Sequence, residues 1–167
     1  GSAGSLKIVA RGGEDMPHPR TGELVPARGL GAEPASFENL RDRRVAFANW
    51  ATSPENPFFA RAIVNRIWAH YFGRGLVEPV DDLRATNPAS NEPLLNALTD
   101  HLLALRFDIK AFTRTLLESR TYQLSSSVAP GNELDEQNYS RAAWKPIPAE
   151  VLLDAICQAT EVPEQFN

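Results

Sequence analysis

Cysteine is almost absent from the sequence, and this limits both disulfide bonding and metal binding. Cys157 is the single cysteine among 167 residues, so no disulfide can form within the chain. The usual structural zinc sites need several thiolates. The three histidines form no evident ligand set, because His70 and His101 fall on different predicted helices and His18 lies between prolines. We therefore expect no metal and no cofactor, and the lack of a Cys-x-x-Cys-His motif excludes attached haem.

Long apolar runs and C-terminal basic residues are also scarce. No run approaches the roughly 20 apolar residues that a membrane-spanning helix needs, so we expect no transmembrane segment. Residues 121–167 carry 2 basic and 7 acidic groups, whereas residues 1–120 carry 15 and 14. Because nucleic-acid binding depends on a basic surface, we expect no nucleic-acid partner.

Catalytic motifs are missing as well. The sequence has no phosphate-binding loop, and Ser125-Ser126-Ser127 lacks the strand-turn-helix setting and the nearby histidine of a nucleophile elbow. We interpret this serine run as a solvated loop. The sequence therefore defines no reaction, and we expect the chain by itself not to be an enzyme.

Helical patterns, by contrast, cover most of the chain. Apolar residues at helical spacing, with Asn56 and Asp108 as caps and Gly73 as a stop, predict five helices. The predicted ranges are about 38–51, 58–72, 91–105 and 109–119, and a last helix begins near Pro148. We expect a mainly α fold, an irregular bundle of about five helices around one core, with an N-terminal strand and a long irregular arm.

The chain divides into three parts in this interpretation. Residues 1–5 resemble an expression scar or linker, residues 6–37 form the strand and the irregular arm, and residues 38–167 form the helical domain. The strand is predicted at 6–10, with a partner either around Glu23-Leu24-Val25 or in a longer parent chain. We expect the helical domain to be truncated from a larger protein.

Apolar stripes predict which faces of the helices are buried. In the first helix the stripe is formed by Phe47 and Trp50. The last helix is expected to bury Val151, Leu152, Ala155, Ile156 and Ala159. Trp50, Trp68 and Tyr71 have the aromatic surface that stacks on sugar rings, but their helical spacing favours a place in the core.

Polar side chains on the apolar central helix, with residues of the loop after it, form the candidate site. They are Arg61, Asn65, Arg66, His70, Arg74, Asp81 and Asp82. We expect Arg61 or Arg66 to pair with one of the two aspartates. The pair either belongs to a small pocket for an anionic or hydroxyl-rich ligand or, as we favour, is buried and pins the loop to the helix.

A set of segments in a fixed order spans most of residues 38–163. The segments are Arg44–Trp50, Pro54–Pro57, Val64–Trp68, Phe72–Val77, Asp81–Leu83, Lys110, Ser119, Tyr122–Gln123, Asn138–Arg141 and Ile147–Asp154. They resemble the planctomycete-specific PSD-one domain family, an uncharacterised family often found beside cytochrome c-like domains. Where that family commonly carries Ser-His-Pro-Glu-Leu-Leu, this chain has Ser90-Asn91-Glu92-Pro93-Leu94-Leu95, so the resemblance implies no role for a histidine there.

Three functions follow from these observations. The first is a non-catalytic helical interaction or assembly module, whose partners are other domains of a multidomain bacterial protein. The second is part of a cell-envelope enzyme or binding protein acting on polysaccharide, with acids such as Asp81, Asp82 or Glu150. The third is a redox-partner module beside a cytochrome c-like domain. The resemblance also implies a location in the cell envelope or outside the cell.

Overall fold

The architecture is mainly α, with a short antiparallel hairpin before the helices. The structure is a computed structural model and describes residues 15–33 and 42–164. Within these ranges the helices are α1 (Arg43–Thr52), α2 (Phe59–Phe72), α3 (Glu92–Ala104), α4 (Ile109–Leu117) and α5 (Ala149–Thr160). The predicted fold class, mainly α with five helices, is confirmed.

The hairpin consists of β1 (Met16–Pro17) and β2 (Leu24–Val25), with Met16 opposite Val25. The sequence predicted the region around Leu24 as one possible partner of a strand at 6–10. In the structure this region pairs instead with Met16–Pro17. The strand predicted at 6–10 and the predicted start of the first helix at residue 38 lie outside the described residues.

The helix ends follow the capping residues of the sequence. The Asn56 side chain accepts hydrogen bonds from the backbone N–H groups of Phe58 and Phe59, at 2.8 and 3.0 Å, which satisfies free amides at the start of α2. Gly73 ends α2 with φ at 81°, a left-handed conformation that suits glycine. Asp108 caps α4 by accepting from the Ala111 N–H at 3.0 Å, as predicted.

Three helices and one loop build the core. Helix α2 packs against α3 and α4, and these two contact each other, while α1 contacts α2. The buried cluster consists of Val64, Trp68, Phe72, Leu76, Val77, Leu95, Leu102, Phe112 and Leu116. Tyr71 packs against this cluster, so the core places predicted for Trp68 and Tyr71 are found.

Two burial predictions are wrong. Helix α5 has no buried residue and packs against no other described helix or strand, and Val151, Leu152 and Ile156 are each about half exposed. In α1, Phe47 is exposed and Trp50 is only half-buried. An apolar stripe shows which face of a helix avoids water, but burial also needs a neighbouring surface, and neither stripe has one in the helical core.

Candidate functional site

The predicted pairing of Arg66 with an aspartate is present, but it lies on the surface. Arg66 donates two parallel hydrogen bonds to Asp81, at 2.8 and 2.7 Å, and the two side chains are 62 and 65% exposed. Asp82 pairs instead with Arg84, which lowers the pKa of its carboxyl. The expectation of a buried pair at this position is wrong, because both partners reach solvent.

Arg61 pairs with neither aspartate. Its guanidinium contacts Glu92 on α3 at 2.6 Å and donates to the Asn96 side chain at 2.7 Å. The hydrogen bond from Arg61, helped by one from the backbone N–H of Ala89, lowers the pKa of the Glu92 carboxyl. Arg61 therefore joins α2 to α3.

Asn65 is the residue that holds the loop to α2. It is fully buried, and its side-chain amide donates to the backbone carbonyls of Val77 and Val80 at 3.0 and 2.8 Å. Its carbonyl oxygen accepts from the Val77 N–H at 3.0 Å. The pinning role expected of a buried ion pair is thus performed by a neutral amide, which costs less to desolvate than a charge.

His70 and Arg74 complete the predicted set near the end of α2. The His70 side chain is exposed, and its ring stands edge-on to the Tyr71 ring at 4.8 Å between centroids. Arg74 is half-buried and lines a cavity beyond Gly73. The seven predicted residues therefore do not form one site. Arg61, Arg66, Asp81 and Asp82 form three separate ion pairs. Asn65 is buried, Arg74 lines a cavity, and His70 contacts Tyr71.

Two adjoining cavities lie at the C-terminal end of α2, and we call them together the α2 C-terminal groove. Their volumes are about 260 and 220 Å³, and both are lined by Phe72, Tyr139, Arg141 and Ala143. Arg74 and Asp135 belong to the first cavity only. Tyr71, Tyr122 and Lys145 belong to the second cavity only.

Aromatic rings fix the inner wall of this groove. Trp68 and Phe72 stack with their centroids 3.8 Å apart, and the Tyr139 ring meets them edge-on at 5.2 and 6.0 Å. Tyr122 stands edge-on to Phe72 at 5.8 Å. Such edge-on pairs are favourable geometries for aromatic rings and hold each other in place.

The Tyr139 hydroxyl and the Lys145 ammonium are tied to the backbone around the end of α2. The hydroxyl donates to the carbonyls of Gly75 and Arg74 at 2.8 and 3.2 Å, and burial raises its pKa. Lys145 donates to the carbonyls of His70, at 3.1 Å, and Tyr71, where the negative end of the helix dipole favours a cation. The Tyr139 and Lys145 side chains of the groove are therefore both held against the end of α2.

Two further charged groups of the groove, Asp135 and Arg141, differ in their hydrogen bonding. Asp135 accepts hydrogen bonds from Ser140 and from the backbone N–H groups of Asn138 and Gln137, which hold the pKa of its carboxyl well below its usual range. Arg141 is half-buried, and its buried Nε has no hydrogen-bond partner in the described part of the chain.

Sequence reasoning did not predict this groove as a site. The segments that meet here, Phe72–Val77, Tyr122–Gln123 and Asn138–Arg141, were named together only as marks of a family resemblance, although Gly73 was also predicted as a helix stop and Arg74 as a candidate site residue. The sequence signal for the groove was that all three segments belong to the same family resemblance. Their spatial neighbourhood depends on a long connection between α4 and α5, which no local pattern specifies.

A family model matches residues 43–166, which is most of the chain. The chain belongs to the PSD1 family. This family is described as a protein of unknown function (DUF1553), so membership assigns no reaction. No curated protein and no solved structure matches the chain.

A third cavity of this PSD1 family member lies between the arm and α1. It has a volume of about 340 Å³ and is lined in part by Arg28, Leu30, Phe47 and Trp50. Gly29 lies so close to the Trp50 ring that a Cβ at this position would fall 2.2 Å from the ring atom Cε2. Trp50 is therefore covered by the arm rather than by the helical core.

Metal-binding clusters and membrane-spanning helices are absent from the described ranges of this PSD1 family member. Residues 15–33 and 42–164 contain no group of three or more His, Cys, Asp or Glu side chains placed to hold a metal ion. In the same residues, no helix combines the length and the apolar character needed to cross a membrane.

Proposed function

We propose that this PSD1 family member is a non-catalytic helical interaction module that docks onto another domain of a larger multidomain protein through α5. The observation that carries this proposal is the exposed apolar face of α5. Val151, Leu152 and Ile156 are 54, 46 and 52% exposed although they lie on one side of the helix. A helix with such a face is stabilised mainly by packing against a partner.

The energy available from docking is substantial. Fully burying an exposed apolar side chain of this size contributes about 1.5–3 kcal/mol, and these three are already about half covered, so docking adds roughly half of that for each. The charges near this face are acidic, because α5 carries Glu150 and Asp154 and no basic residue. The complementary surface is therefore an apolar helix or groove with basic residues along its rim.

Hydrogen exchange tests this proposal. In the 167-residue chain, the amides of Ala149–Thr160 should exchange quickly, because the helix packs against no other described helix or strand. In the multidomain protein, the same amides should exchange at least about tenfold more slowly, while those of α2 and α3 keep their rates.

Matched variants define the surface in that experiment. Leu152→Glu should abolish the added protection of α5, whereas Leu134→Glu, at a position that is 94% exposed outside the helices, should leave it intact. Equal exchange of α5 in the short chain and in the multidomain protein would contradict the proposal. Sedimentation of the short chain shows separately whether α5 pairs with a second copy of itself.

The polysaccharide-acting alternative has less support from the geometry. Asp81 and Asp82 are each paired with an arginine, and Glu150 lies on the isolated helix α5. None of the three cavities described above is lined by these acids. Glycoside hydrolysis needs two carboxyl groups facing each other across a cleft, and these three provide no such pair.

A further inference from the structure

We infer that the α2 C-terminal groove binds a small organic anion, namely a carboxylate carried on a ring, and that Arg141 holds the carboxylate. This site is independent of the docking surface on α5. Its walls come from the end of α2 and from the connection between α4 and α5, and no residue of α5 lines it. The inference depends on the chemistry of the groups that line the two cavities.

The first argument is the unpartnered Nε of Arg141. Its Nε is buried without a hydrogen-bond partner among the described residues, and Arg141 lines both cavities. A buried unpaired donor destabilises a fold, and a charged one does so more strongly. A carboxylate in the groove that binds the guanidinium of Arg141 forms charge-assisted hydrogen bonds, which are among the strongest in proteins.

The second argument is the balance of charge in the groove. The Asp135 and Glu136 carboxylates line the first cavity only, and the hydrogen bonds that lower the pKa of Asp135 keep it negatively charged. The charged side chains that line the second cavity are Arg141 and Lys145, and both are cations. Arg141 and Lys145 therefore favour an anion in the second cavity of the groove.

The third argument is the shape of the wall. Phe72 and Tyr139 present aromatic surface to both cavities, and Tyr122 adds a third ring to the second cavity. Each cavity is smaller than a drug-sized pocket and suits a single ring. Because Tyr139 is fixed by two hydrogen bonds to the backbone, the wall is formed in advance and little order is lost on binding.

An NMR titration tests the inference with four probes. Benzoate and galacturonate carry a carboxylate on an aromatic and on a sugar ring, while benzamide and galactose are their neutral counterparts. At least one carboxylate should shift the Nε–H signal of Arg141 and the amide signals of Gly73 and Ala143, and its neutral counterpart should not. The carboxylate that binds more tightly identifies the ring.

Three variants accompany the titration. Arg141→Gln should weaken binding at least about tenfold, because it removes the charged fork. Arg114→Gln, on the exposed side of α4 and outside the groove, should leave the affinity unchanged. Ala143→Leu adds bulk at an exposed position that lines both cavities, so it should block binding even if Arg141→Gln fails to fold.

Several outcomes would overturn the inference. One is that neither carboxylate moves the Arg141 signal at about 10 mM, which excludes even millimolar affinity. Another is that the neutral rings bind as well as the carboxylates, since the guanidinium would then contribute nothing. Undiminished binding to a folded Arg141→Gln or Ala143→Leu variant would place the ligand elsewhere.

Discussion

At the scale of single residues, Asn65 shows how a polar side chain becomes part of a core. It is as buried as Val64 beside it, yet its side chain makes three hydrogen bonds to the loop after α2. The Asn65 side chain therefore provides hydrogen-bond partners for the backbone groups of the loop that face the core. Leu76 and Val77 are buried in the core as a result.

The first residue-scale prediction concerns removal of this amide. Asn65→Leu should lower the free energy of unfolding by about 2–4 kcal/mol, because the Val77 N–H and the Val77 and Val80 carbonyls lose their partner while buried. Urea denaturation measures the change.

The matched control lies one residue further along the helix. Arg66→Met breaks the exposed pair with Asp81 and should cost at most about 1 kcal/mol, since surface ion pairs contribute little. If Arg66→Met destabilised the protein as much as Asn65→Leu, the surface pair and not the amide would hold the loop.

At the scale of elements, α3 and α5 have similar lengths and different surroundings. Both are helices of 12 or 13 residues rich in apolar side chains, and both have an acidic residue in the first turn. Leu95 and Leu102 of α3 are fully buried against its neighbours, whereas α5 buries none of its residues. Helix α5 therefore contributes little to the stability of the core.

A pair of truncations tests this difference. Leu102→Ala should lower the free energy of unfolding by about 2–5 kcal/mol, because it opens a cavity in the core. Leu152→Ala, at a side chain that is 46% exposed, should change it by no more than about 0.5 kcal/mol. Thermal or urea denaturation of the isolated chain provides both values. A large loss for Leu152→Ala would mean that α5 packs on the core in solution.

At the scale of the whole molecule, hydrogen bonds to carboxylates make stability depend on pH. Among the described residues, five carboxyl groups have lowered pKa values, namely Asp42, Glu55, Asp82, Glu92 and Asp135. A carboxyl whose pKa is lowered in the folded state stabilises the fold above its ordinary pKa of about 4. That contribution is lost as the pH falls below the ordinary value toward the lowered one.

We therefore expect the melting temperature to fall between pH 5 and pH 2, with Glu92 as the group that can be tested separately. Glu92→Gln should destabilise the protein at pH 7 by at most about 1 kcal/mol, because the pair with Arg61 is partly exposed. Its difference from the wild type should shrink as the pH falls below the ordinary pKa of a glutamate, about 4, toward the lowered pKa of Glu92. Scanning calorimetry across this range measures both effects, and a difference that grows in acid would contradict the assignment.

The parts of the fold and the candidate site that were predictable are those with local causes. Asn56, Gly73 and Asp108 act on backbone groups within a few residues, so α2 and α4 begin or end where the sequence indicates. The pairing of Arg66 was also accessible, because Asp81 follows closely in the chain. The groove was not, since Tyr139 and Arg141 reach Phe72 across more than 60 residues.

The sequence by itself determined the helical class, the helix ends and the family, because hydrophobic spacing, capping and ordered motifs are properties of short segments. Tertiary structure decided which apolar stripe found a partner. It left Val151 and Leu152 half exposed while it buried Leu95 and Leu102, and it gave the pinning of the loop to Asn65. It also brought Arg141 to the end of α2. The physical reason is that burial and pairing depend on surfaces supplied by distant parts of the chain.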